Sequence, residues 1–161
     1  SGDGGLMLVR VGTGVGAGLV LEGALLHGFV DAAGEVGHVT VDPEGPLCAC
    51  GRQGCLETFL AVPRLRERLE TAHDDALVEA GEHLGKALAP VVGTLNLHEL
   101  VLSGPADLLD GPLRETADRI IRERTMPVSG EPLEFRTSTL GEDVVIVGAA
   151  VLVLAGELGV S

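Results

Sequence analysis

One imidazole and three thiols carry the most specific chemistry in this chain. His38, Cys48, Cys50 and Cys55 stand ten, two and five residues apart and use every cysteine present. Three thiolates and one imidazole complete a tetrahedral shell for zinc and leave no position for water, the pattern of a structural rather than a catalytic ion. Gly45, Gly51 and Gly54 permit the tight reversals such a loop needs, and Pro43 and Pro46 stiffen it. Two other readings of the cysteines are buried small apolar side chains, or one disulfide with a thiol left over. An odd count, the Cys-x-Cys spacing and the lack of an export signal argue against the disulfide.

Carboxylates flank this stretch. Glu35 lies three residues before His38, so the two would share a face on a helical turn. Glu57 follows Cys55 and falls in the first turn of a helix expected over Cys55–Val62, where the dipole favours an acid. Alone, Glu35 also reads as a capping or solvated acid. A second feature is GTGVGAG, between the apolar runs Leu6–Val11 and Leu19–Leu21. Strand, Gly-rich turn and strand make a hairpin whose bare amides can form a nest for phosphate, although such turns are more often only turns. No helix follows, which excludes a dinucleotide-binding fingerprint, and no Gly-Lys-Ser/Thr appears, which excludes a Walker A loop.

The elements that must position these residues follow from periodicity. Strands are expected at Leu6–Val11, Leu19–Leu21, Ala24–Leu26, Val39–Val41, Glu99–Ser103 and Leu133–Thr137. A helix broken or restarted at Pro63 continues to Thr71. A long helix capped by Asp74 or Asp75 runs to about Leu97, with Pro90 expected to kink or divide it, and further helices are expected over Leu113–Thr125 and Glu142–Leu158. The hairpin followed by alternating helix and strand argues for an α/β fold with one mixed sheet.

Length and composition bound the rest. With 161 residues, 45% of them hydrophobic, residues 1–161 read as a single domain with one core of Leu, Val and Ala, since only three Phe and no Tyr or Trp are available. A formal net charge of −13 repels phosphate backbones, so no nucleic acid is expected to bind through this chain. No apolar run reaches the roughly 20 residues a membrane span needs, and a cytoplasmic location is expected. Beginning almost directly on a core strand suggests a segment of something longer.

GTGVGAGLVLEGALLHG, AAGEVGHVTV and CACGRQGCLE, in this order, resemble the ROK family of repressors, open reading frames and sugar kinases. ELVLSGPADLL and LGEDVVIVGAAVLVL are similar to later family elements, so the resemblance covers essentially the whole chain. It implies the C-terminal lobe of an actin-like ATPase fold, ribonuclease H-like, with a zinc-bound loop held by His38, Cys48, Cys50 and Cys55. It further implies sugar contacts from Glu35, His38 and Glu57, His38 binding zinc through one ring nitrogen and a sugar hydroxyl through the other. Phosphate or nucleotide contacts would fall to Gly12, Thr13, Gly14, Gly16, Ser103 and Gly104. Two departures stand out. The Asn-Asp-x-Asn type segment that supplies the kinases' catalytic Asp is not in these residues, and VLSGP replaces the usual Gly-Gly turn. The implied function is therefore the sugar-sensing effector domain of a transcriptional regulator, with operator DNA bound through another, N-terminal domain and a homodimer as the assembly. The alternative is the C-terminal lobe of an ATP- and Mg-dependent glucokinase-type enzyme; a third is a lobe that keeps zinc and fold but binds no sugar.

Overall fold

Alternation along the first strand sets the architecture. In β1 (Gly5–Val11) the side chains of Met7, Val9 and Val11 are buried, whereas Arg10 between them is exposed, so one face of the strand belongs to the core and the other is open. The computed structural model describes residues 4–72 and 74–138. β2 (Val15–Leu21) folds back antiparallel on β1, with Val11 opposite Val15 and Arg10 opposite Gly16, and β3 (Ala24–Leu25) adds a short edge. On the other side β4 (Leu97–Ser103) runs parallel to β1, and β5 (Glu134–Thr137) runs parallel to β4. The order β3-β2-β1-β4-β5 is the mixed sheet expected of an actin-like lobe. Four consecutive buried residues, Leu100, Val101, Leu102 and Ser103, show that β4 is covered on both faces, as parallel strands usually are.

Helices fill the crossovers. α1 (Leu56–Leu60) and α2 (Val62–Ala72) lead into α3 (Asp74–Leu95), which precedes β4. α4 (Ala106–Leu109), α5 (Pro112–Arg124) and α6 (Pro127–Gly130) connect β4 to β5. Leu84 and Leu88 of α3, Leu113 and Ile121 of α5 and Leu100 of β4 meet in one core. α3 and α5 approach closely where α3 has no side chain: a Cβ on Gly81 would lie 2.4 Å from the Leu113 carbonyl oxygen, and one on Gly85 would lie 2.6 Å from the Ile120 Cβ.

Several expectations change in detail. Val39–Val41 is no strand; it makes only an isolated bridge from Thr40 to Cys55, because these residues close the cysteine loop instead of joining the sheet. The helix break falls at Ala61, whose ψ is 139°, and Pro63 sits in the first turn of α2, where its missing N–H is tolerated. Pro90 does not divide α3. Both Pro90 and Lys86, the residue four positions earlier whose carbonyl loses its partner, are exposed, so water can satisfy it. α3 ends at Leu95 because Asn96 adopts φ 49°, and Leu97 already belongs to β4. The turn expected over GPADLLDGPL contains the short helix α4. The apolar helix expected over Glu142–Leu158 lies outside the described residues.

Candidate functional site

The loop from β3 to α1 is folded by its own backbone. The Cys48 N–H donates to the Arg52 carbonyl at 2.7 Å and the Gly51 N–H to the Cys48 carbonyl at 2.9 Å, which curls Cys48 and Cys50 into a knuckle. The Gly54 N–H donates to Pro46 at 2.8 Å, and Val41 and Leu56 tie the two ends together through Gly54 and Val39. Gly54 has φ 69°, and a Cβ there would fall 1.4 Å from the Asp42 carbonyl oxygen, so no other residue fits this crossing.

This folding gathers His38, Cys48, Cys50 and Cys55, with one ligand atom of each within 4.8 Å of all the others. His38 Nδ1 lies 3.6 Å from Cys48 Sγ, and the Sγ atoms of Cys50 and Cys55 are also 3.6 Å apart. A tetrahedral ion with metal–sulfur bonds of about 2.3 Å and a metal–nitrogen bond of about 2.0 Å requires edges of roughly 3.5 to 3.8 Å; two edges have that length and the others lie within 4.8 Å, so the cluster could hold a metal ion. Cys48 and Cys55 are buried, His38 is half-buried and Cys50 is exposed. Their acidities diverge: burial first, then the neighbouring thiols, push Cys55 up to about 12, while a backbone hydrogen bond at Arg52 draws Cys50 down to about 7. A cation at the cluster would reverse the cost at Cys55.

Glu57, in the first turn of α1, accepts a 2.9 Å hydrogen bond from the Val15 N–H at Oε2. It therefore links the start of β2 to the helix that follows Cys55. Its carboxylate comes so close to the hairpin that a Cβ on Gly14 would lie 2.9 Å from Oε2. Glu35, exposed, precedes the 3-10 turn Val36–His38 and uses no side-chain oxygen to cap it. The two carboxylates meet at one open hollow of about 530 Å³, whose floor is the bare strip Gly14, Gly16 and Gly18 of the hairpin. His38 is not among the residues that line it.

The hairpin tip borders a second hollow. Gly12 and Thr13 face Ser103, Gly104 and Pro105 across a space of about 180 Å³. The tip is less bare than its glycines suggest, because the Gly12 N–H donates to the Gly14 carbonyl at 2.9 Å and the Gly12 carbonyl accepts from Val62 at 2.8 Å. The proposed phosphate residues thus divide: Gly12, Thr13, Ser103 and Gly104 surround the smaller space, while Gly14 and Gly16 line the larger one. Sequence reasoning missed Arg10, which lines both. The signal was available, a lone charge between Val9 and Val11 just before the glycine turn.

A model of the ROK family matches residues 4–155. The chain belongs to the ROK family. It is 31% identical over 194 aligned positions to a glucokinase from Halalkalibacterium halodurans, covering 98% of this chain and 59% of that protein. It is 25% identical to the DNA-binding transcriptional repressor Mlc of Escherichia coli, covering 86% of this chain and 41% of the repressor. Among solved structures, the ROK hexokinase from Thermus thermophilus superposes with a TM-score of 0.77 at 29% identity, covering 93% of this chain and 58% of the enzyme. The chain thus spans between two-fifths and three-fifths of these ROK relatives, and both kinases and repressors are among them.

Proposed function

We propose that this chain is the sugar-sensing lobe of a ROK-type transcriptional regulator, organised by a structural zinc ion. The observation that carries this is the meeting of Glu35 and Glu57 at one hollow, each within three residues of a member of the Cys3His cluster in sequence. Carboxylates accept hydrogen bonds from vicinal hydroxyls, the commonest feature of a sugar surface. His38 does not line the hollow but presents Nδ1 to the thiol cluster, so in this reading its Nε2 reaches a hydroxyl at the hollow's margin, with the zinc fixing the tautomer. His38, Cys48, Cys50 and Cys55 hold the ion; the ion supplies a fixed loop and does no chemistry. The regulator is cytoplasmic, acts as a homodimer, and contacts operator DNA through a domain outside this chain, whose own charge of −13 disfavours it. Among the described residues, no helix is long and apolar enough to cross a membrane.

The absence of phosphoryl transfer is favoured by the smaller hollow. Pro105, in the VLSGP turn, removes one amide donor from its rim. The glucokinase relative at 31% identity favours the second reading, the C-terminal lobe of an ATP-dependent sugar kinase. One experiment separates them: the full-length protein is given hexoses with ATP and Mg²⁺, and separately its own promoter DNA with and without the same sugars. Sugar-dependent release or capture of DNA with no ADP formed is the expected result. Sugar-dependent ADP formation would establish the kinase instead.

A further inference from the structure

The cysteines of the cluster differ in access. Cys48 and Cys55 are buried, whereas Cys50 is exposed, as are Ala49 and Gly51 on either side of it and Arg52 and Gln53 beyond. The Cys55 sulfur lies 3.6 Å from that of Cys50, while Cys48 faces the His38 ring, with Nδ1 at 3.6 Å. Cys55 is also the better anchored of the pair: its carbonyl accepts from the Thr58 N–H at 2.9 Å and from the Thr58 hydroxyl at 2.7 Å, at the start of α1. Cys50 instead adjoins Gly51, which has φ 90° and around which an added Cβ would meet nothing within 4 Å. A bridge from Cys50 to Cys55 closes over four residues, whereas one to Cys48 must close over Ala49 alone.

We propose that Cys50 is a site of reversible oxidation by hydrogen peroxide, which joins it to Cys55 and expels the zinc ion. The proposal rests on the zinc assignment made above. The Cys50 thiolate attacks one peroxide oxygen, the O–O bond breaks, and a sulfenic acid forms as the other oxygen leaves as water. The Cys55 sulfur then attacks the Cys50 sulfur; the S–S bond forms, the S–O bond breaks, and a second water departs. Two thiolates give up two electrons in all, and the peroxide takes them up with two protons. His38 and Cys48 are then left as half of a four-coordinate shell, which is too few to keep the ion. A thiol reductant restores both cysteines, so the change is transient, as cytoplasmic disulfides usually are.

The test uses the full-length protein, reduced, desalted and analysed for zinc before hydrogen peroxide is added. Zinc release is followed with a chromophoric chelator, and peptides are mapped without reduction after free thiols are alkylated. The expected result is zinc release in step with a Cys50–Cys55 disulfide, Cys48 remaining free to alkylate, and zinc binding regained after dithiothreitol. Cys50→His keeps a nitrogen donor for the metal, and should release zinc roughly tenfold more slowly under the same peroxide. Where that variant does not hold zinc, the wild-type map decides alone. Zinc retained through the treatment, a disulfide through Cys48, a sulfinic acid in place of any disulfide, or equal release from a zinc-loaded Cys50→His overturns the proposal and leaves the zinc assignment standing. A reduced wild-type protein that holds no zinc before peroxide is added overturns the zinc assignment and the proposal with it.

Discussion

Glu57 has two roles that substitution can separate. Its Oε2 accepts from the Val15 N–H, and its carboxylate borders the larger hollow. Glu57→Gln keeps an oxygen for Val15 but loses the charge that sugar hydroxyls would favour, so sugar affinity should fall about 10- to 100-fold in calorimetry with zinc content unchanged. Glu57→Ala also leaves the Val15 amide unpaired, and should lower unfolding free energy by about 1 to 3 kcal/mol beyond Glu57→Gln. At the cluster, Cys55 is held protonated near 12 and Cys50 titrates near 7, so metal binding must release the Cys55 proton throughout and the Cys50 proton as well below about pH 7. A plot of log zinc affinity against pH, from competition with a chromophoric chelator, should therefore steepen as pH falls below about 7. At this scale the gathering of His38, Cys48, Cys50 and Cys55 was legible because residue identity and spacing carry it. Arg10 was not, because its meaning comes from two hollows that exist only once β1 lies between β2 and β4.

Elements were legible where periodicity decides and obscure where packing does. The sheet strands and α3 follow from apolar spacing, but Val39–Val41 has strand composition and is instead used to close the cysteine loop. Pro90 breaks a helix by rule, and its tolerance here depends on the exposure of Lys86 and Pro90, which only the folded arrangement gives. Gly81 and Gly85 read as weak points of α3, yet α5 packs against their bare backbone. Gly85→Ala gains about 1 kcal/mol in helix propensity but drives a methyl into Ile120, and should destabilise by about 1 to 3 kcal/mol in urea unfolding. His83, buried in α3 with its ring 4.1 Å from that of Phe59, is held below the ordinary imidazole value chiefly by burial, which outweighs Glu79. The unfolded chain then takes up the proton first, so this contribution is present above about pH 6.5 and is lost as pH falls below it. Melting temperature should decline more steeply below pH 6.5 in the wild type than in His83→Gln.

For the whole molecule, the mixed sheet places the hairpin, the VLSGP turn and the entrance to α1 at one end, and the cysteine loop is fastened to that same end through Glu57 and Val15. The fold and family could be read from motif order. The choice between signal and substrate could not, because the kinases and repressors resembling this chain are longer than it is. What this lobe can decide is whether metal and sugar are coupled through His38. The most direct measurement is calorimetric titration of the full-length protein with the sugar panel, zinc-loaded and after removal of zinc by a chelator at constant fold, monitored by circular dichroism. Our account predicts sugar binding by the zinc-loaded protein and at least tenfold weaker binding without zinc, restored when zinc is returned. Equal affinity with and without the metal would contradict it.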